Sequence, residues 1–206
     1  MHWPCPVASA AEGFGDCSPG RSGRLNQPRL CPQTVTTLPL LGAVLAGGQS
    51  RRFGSDKALA LLDGTPLIAL AVEALSGWCD HVVITGRGEG PAPCLPDWPA
   101  ADMGPLGGLA AALRFAADEG YTAVLSCGVD SPDLPENLPN LLAPAPACFA
   151  SQPVIGLWPV SALTAIETVL HGDGRHSMLA FAEAVGGRQV EVPRVLRNIN
   201  FRADLD

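Results

Sequence analysis

The run Leu41–Ala46 (LGAVLA) is apolar without interruption and stops at two glycines, Gly47 and Gly48. A strand that faced water on one side would alternate, and this one does not. Both of its faces must therefore be covered, as in the interior of a parallel sheet with helices on each side. The rest of the chain supplies the other parts. His81–Thr85 (HVVIT), a short stretch near Ala92–Leu95 and Thr122–Cys127 (TAVLSC) read as further strands. Leu67, Ile68, Ala71, Val72 and Leu75 recur at helical spacing, with Thr65 as N-cap and Pro66 as the first helical residue. Gly104–Gly108 opens a second helix, with Leu109, Leu113 and Ala116 on one face. Beyond it come a short helix over Leu134–Leu142, strands at Ala147–Ala150 and Val154–Trp158, and a helix over Val160–Leu170. A loop at Gly172–Arg175, a helix to about Val185, a strand at Arg188–Val192 and an extended run at Leu196–Asn200 complete the pattern. Alternating strands and helices predict an α/β fold with a mostly parallel sheet.

Residues 1–38 lack any such period. The first 40 residues hold six Pro and four Gly, and no basic stretch precedes an apolar one, so the segment does not read as a secretory signal. It is expected to be a disordered N-terminal extension or sequence upstream of the true start. A formal charge of -7 argues against nucleic acid and against an anionic membrane surface. No apolar run reaches the ~18 residues of a membrane span. Seven cysteines without a C-x-x-C pair suit small buried hydrophobes in a reducing, cytoplasmic setting.

Ligands of parallel α/β sheets bind beyond the carboxyl ends of the strands. After the first strand comes Leu45-Ala46-Gly47-Gly48-Gln49-Ser50-Arg51-Arg52-Phe53-Gly54-Ser55-Asp56-Lys57. Glycines let the backbone approach a ligand, and consecutive N–H groups in such a turn form an anion nest. Of 13 basic residues twelve are Arg, and Lys57 is the only lysine of the chain. A compact ammonium and two guanidiniums, set in an acidic chain, describe a triphosphate loop. The spacing fits neither the Walker pattern nor G-x-G-x-x-G. Asp97 and Asp130 each follow a strand, where one or two carboxylates together with phosphate oxygens would hold Mg²⁺. Taken alone, Asp130-Ser131-Pro132 is also ordinary turn chemistry.

The segment LAGGQSRRFGSDKALALLDGTPL resembles the signature of the MobA-type nucleotidyltransferases, the molybdenum cofactor guanylyltransferases. The resemblance continues through HVVITGR, Asp97 ahead of ADMGPLGGL, VDSPDLP, GRHSMLAF and the NINF run, and covers about Leu40 to the end. It implies a three-layer Rossmann-like nucleotidyltransferase domain over residues 39–206. It implies that Leu45, Ala46, Gly47 and Gly48 hold the nucleotide, and that Arg52 and Lys57 bind its phosphates. Thr85 falls near the base or ribose, Asp97 contacts the nucleotide, Asp130 binds Mg²⁺, and Asn198 and Asn200 lie on the pterin side. Lys57, Arg52 and Asp130 are the implied catalytic group. The chain departs from its relatives at Gln152, where they carry His before a Pro, and at Thr85, where some carry Asn.

The implied reaction joins GTP and molybdopterin into a pterin guanine dinucleotide and releases pyrophosphate. Apo-molybdoenzymes or their chaperones would receive the product. Relatives that transfer cytidylyl groups show L-A-A-G where this chain has Leu45-Ala46-Gly47-Gly48, which favours guanine. A non-catalytic nucleotide-binding adaptor is the alternative from a different class.

Overall fold

In the computed structural model, the described residues are 39–47, 53, 56–174, 176–192 and 196–205. The expected extension over residues 1–38 lies outside them, as do Gly48 and Arg52.

Strand β1 spans Leu40–Leu45 and occupies the interior of a seven-stranded sheet. It pairs in parallel with β4 (His81–Thr85) on one side and with β6 (Ala123–Gly128) on the other. β5 (Cys94–Leu95) extends the sheet beyond β4. On the far side lie β8 (Gly156–Pro159), β7 (Ala147–Phe149) and β9 (Arg188–Val190), giving the order β5-β4-β1-β6-β8-β7-β9. β8 runs antiparallel to both of its neighbours, while β9 pairs in parallel with β7. One strand of the seven is therefore reversed.

Side chains leave each strand alternately, and this divides the core in two. Leu41, Ala43 and Leu45 pack with Val83 and Val124 under helices α2 (Gly104–Glu119), α4 (Leu163–His171) and α5 (Met178–Ala184). Val44 packs on the opposite face with Val82, Ile84, Leu125 and Cys127, under α1 (Leu67–Ser76) and α3 (Leu138–Leu142). The result is three layers, helices on both faces of one sheet, as the uninterrupted apolar run of β1 requires. No helix among the described residues is long and apolar enough to cross a membrane.

Three local expectations shift. Thr65 is not an N-cap and Pro66 is not the first helical residue. Asp63 and Gly64 both take positive φ, and the turn they make folds β3 (Thr65–Pro66) back against β2 (Leu61–Leu62). Pro66 itself then becomes the extended residue ahead of α1. Helix α3 starts at Leu138 rather than Leu134, because Pro135 holds the residue before it extended. β8 starts at Gly156 rather than Val154, because Ile155 N–H is spent on Gln152 O in a turn.

A third, smaller cluster lies beside the sheet. Phe53, Leu62, Leu67 and Ile199 are buried together, with Ala60, Leu70 and Leu205 against them. It ties the middle of the loop after β1 to the hairpin and to the segment around Ile199.

Candidate active site

The carboxyl ends of β1, β4, β5 and β6 lie side by side, and a residue singled out in the sequence stands at or just beyond each. Leu45 is buried at the end of β1, and Ala46 donates its N–H to Thr85 O at 3.0 Å. This bond carries the β1–β4 pairing into the loop and sets Gly47 directly against Gly86. Gly86 has φ +76°, and a Cβ there would collide with the backbone of Gly47. A Cβ on Gly47 would stand 3.1 Å from Gly86 Cα and 3.4 Å from Asp97 Oδ2. Two strand ends therefore touch through bare backbone, with the Asp97 carboxylate alongside.

Thr85 closes the same spot from below. It is fully buried, and a Cβ on Gly108 of α2 would collide with its hydroxyl. Thr85 Oγ1 and Asp97 Oδ1 are buried and have no hydrogen-bond partner among the described residues. Burial pushes the Asp97 carboxyl above the usual carboxylate range, and the negative charge of Asp102 adds to this. Buried polar atoms in folded proteins are ordinarily satisfied, so such an orphan pair is a place for a ligand with donors.

Lys57 and Asp130 lie across β1 from this cluster. Asp56 accepts the N–H of Ala58 at 3.1 Å and so caps the single 3₁₀ turn Lys57–Leu59. Lys57 Nζ stands 3.6 Å from Asp130 Oδ2, beyond the end of β6. Ser131 is buried, donates to Gln152 Oε1 at 2.5 Å and lies 3.5 Å from Asp130 Oδ1. Asp130 O accepts the N–H of Ile199 at 2.9 Å. Because Ile199 is fully buried, its neighbours Asn198 and Asn200 are left exposed beside Asp130. Asp204 accepts the N–H groups of Phe201 and Asn200, which hold its carboxyl below the usual range and secure this segment. Next to it Phe53, Asp56, Leu59, Ala60, Leu61, Arg202 and Leu205 line an open groove of about 700 Å³.

The fold thus brings Leu45, Ala46, Gly47, Thr85 and Asp97 into one cluster, and Lys57 and Asp130 into another, with Asn198 and Asn200 at its rim. Sequence reasoning missed Gly86, Gly108 and Ser131. The two glycines act by lacking a side chain, which no composition signal marks. Ser131 works through a partner that only the tertiary fold supplies. Gln152, noted only as a departure, is the partner of Ser131.

A cation at Asp130 would find few protein donors around it. Among the described residues no group of three or more His, Cys, Asp or Glu could cage a metal. What remains is the part-exposed carboxylate of Asp130, next to the ammonium of Lys57. That set fits Mg²⁺, which keeps waters and phosphate oxygens in most of its positions, and does not fit a structural zinc. Cys79, Cys94, Cys127 and Cys148 form no disulfide. Burial pushes the Cys79 thiol up to about 12 and raises Cys127 further, so neither is a nucleophile.

Residues 42–189 match the family described as the MobA-like NTP transferase domain. A molybdenum cofactor guanylyltransferase of Acidiphilium cryptum is 38% identical over 184 residues, covering 81% of this chain and 92% of that protein. One from Rhodobacter capsulatus is 35% identical over 177 residues, covering 81% and 93%. Among solved structures, molybdopterin-guanine dinucleotide biosynthesis protein A from Archaeoglobus fulgidus superposes with a TM-score of 0.64. It is 21% identical and covers 80% of this chain and 94% of its own, a likeness of fold.

Proposed function

The chain belongs to the MobA-like NTP transferase family, and from that premise we propose that it transfers GMP from GTP to molybdopterin with release of pyrophosphate. It is a nucleotidyltransferase of molybdenum cofactor biosynthesis. One observation carries the reading. The only lysine stands 3.6 Å from the carboxylate that follows the neighbouring strand, beyond the carboxyl ends of the strands, where such folds bind ligands.

Phosphoryl chemistry of this kind asks the protein for placement and charge compensation more than for covalent help. The terminal phosphate of the pterin is largely ionised at neutral pH, so it attacks the α-phosphorus without a general base. The α-phosphorus–oxygen bond to the leaving group breaks as the new one forms, and pyrophosphate departs with the bonding electrons. Lys57 and Arg52, with the N–H groups of the loop after β1, bind the β- and γ-phosphates and offset the charge gathering there. Without substrate, Lys57 and Asp130 neutralise each other. With phosphates bound, Lys57 would pair with them, and Asp130 would be free to hold Mg²⁺. The ion, when bound, neutralises phosphate charge and polarises the α-phosphoryl group. Asn198 and Asn200 hold the acceptor side, next to the groove near Arg202.

Base choice is supported by Gly47. Adding the methyl found in L-A-A-G relatives would press on Gly86 Cα at 3.1 Å and on Asp97 at 3.4 Å, and so displace the loop from the orphan pair. Asp97, only partly buried, offers a carboxylate oxygen to a ring rich in N–H donors, as guanine is.

The test is product analysis. The protein is mixed with Mg²⁺, molybdopterin and equal GTP and CTP, and the dinucleotide is identified by chromatography. A guanine dinucleotide is expected. A cytosine product overturns the base reading and keeps the chemistry. Bound GTP with no product turns the reading to an adaptor.

A further inference from the structure

Lys57 sits at the exit of a loop whose entry is fixed by the Gly47–Gly86 contact. Its exit is fixed by the same short stretch of chain. Arg87, next to Gly86, reaches across to Asp56, the residue immediately before Lys57. Its Nη1 donates to Asp56 Oδ1 at 2.9 Å, and its Nη2 lies 2.8 Å from Oδ2. The fork is two-pronged and planar, the arrangement a guanidinium offers a carboxylate and an ammonium cannot. Arg87 Nε is turned toward Glu89 O at 3.4 Å, so all three guanidinium nitrogens are engaged. Asp56 in turn caps the turn that begins with Lys57. The Arg87 guanidinium holds the Asp56 carboxyl below its usual range.

Such a pair, partly open to water, adds little to global stability. Its geometry instead fixes one point: the direction in which the 3₁₀ turn leaves the loop, and hence where the Lys57 side chain starts. Gly86-Arg87 thereby grips the loop after β1 at both ends.

We propose that Arg87 is a positioning residue for nucleotidyl transfer, acting on Lys57 through its fork to Asp56 and without itself touching phosphate. This rests on the reading of Lys57 as a phosphate ligand.

The test is a double-mutant cycle on the full chain, Arg87→Ala with Lys57→Ala, because coupled residues are non-additive where independent ones add. The readouts are kcat and KM for the GTP reaction, the Kd of Mg²⁺-tripolyphosphate, and Tm. Arg87→Ala alone is expected to lower kcat and tripolyphosphate affinity about tenfold with Tm nearly unmoved, and to cost under ~2-fold once Lys57 is Ala. Equal losses in both backgrounds mean that Arg87 meets phosphate directly and overturn the proposal. No loss in the wild-type background overturns it as well, as does a wild type that fails to bind tripolyphosphate. If Arg87→Ala does not fold, Asp56→Asn replaces it. Asn keeps an acceptor for Ala58 N–H and loses the charge partner, so the same pattern is expected. Coupling in tripolyphosphate binding without any dinucleotide product would sink the transfer reading and leave the role of Arg87 intact.

Discussion

Two fully buried hydroxyls sit in the same sheet and differ in one respect. Ser126, on β6, accepts from Trp158 Nε1 at 2.9 Å and donates to Val154 O at 2.7 Å. Thr85, at the end of β4, has no partner among the described residues, and neither does the nearby Asp97 Oδ1. The first site is finished by the protein. The second is left for something else to finish. An unsatisfied buried polar atom costs about 1–3 kcal/mol, and this one lies beside three glycines, at the spot proposed for the nucleotide. The sheet makes the same division on a larger scale. Site residues follow the four parallel strands β5, β4, β1 and β6, whereas the half containing the reversed β8 closes the core around Trp158.

The comparison can be pressed from either side. The largest effect is expected at Lys57, which the open half exists to place. Lys57→Ala should lower kcat on the order of a hundredfold, as loss of a preorganised charge stabiliser does, while Tm stays put. Steady-state pyrophosphate release and calorimetry check both parts, and an unchanged kcat/KM would return the loop to a structural role. On the finished side, Ser126→Ala strands the Trp158 N–H. It should cost roughly 1–3 kcal/mol of stability in urea melts and leave kcat/KM of the folded fraction as it was. A selective loss of activity there would erase the distinction between the two hydroxyls.

The smallest effect is the most pointed. Asp97→Asn should raise the Tm of the ligand-free protein, by a few degrees if about 1 kcal/mol is regained, and weaken GTP binding. The sign follows from the raised carboxyl of Asp97. A group that holds its proton more tightly folded than unfolded costs stability as pH rises through the window from its ordinary value to its raised one. The gain from Asn should therefore be greatest above that window and fade in acid. A less stable Asn variant at neutral pH would mean that Asp97 is a structural group.

Much of this was legible in the residues. The buried strands announced themselves through unbroken apolar runs, and His81–Thr85 has the bounds expected of it. Carboxylates and the lone lysine stood out because charge is scarce in this chain. Thr65 misled because an Asp-Gly pair reads equally as a loop before a helix or as a hairpin turn, and pairing with Leu61-Leu62 decides between them. The reversal of β8 was not legible, since an apolar strand carries no mark of its direction. Arg87 looked like one guanidinium among twelve. Its meaning lies in a partner far along the chain, which only the completed sheet brings near.

The place of β1 within that sheet has a consequence in time. It precedes every other strand of the sheet in the chain, yet one of its edges is closed only by residues 123–128. At ~5–20 residues per second, an emerging chain would wait on the order of ten seconds for them. Through that interval LLGAVL offers an open, uncharged, β-prone edge. The strand that leads into the proposed nucleotide loop is thus also the one most exposed to mispairing while the protein is being made.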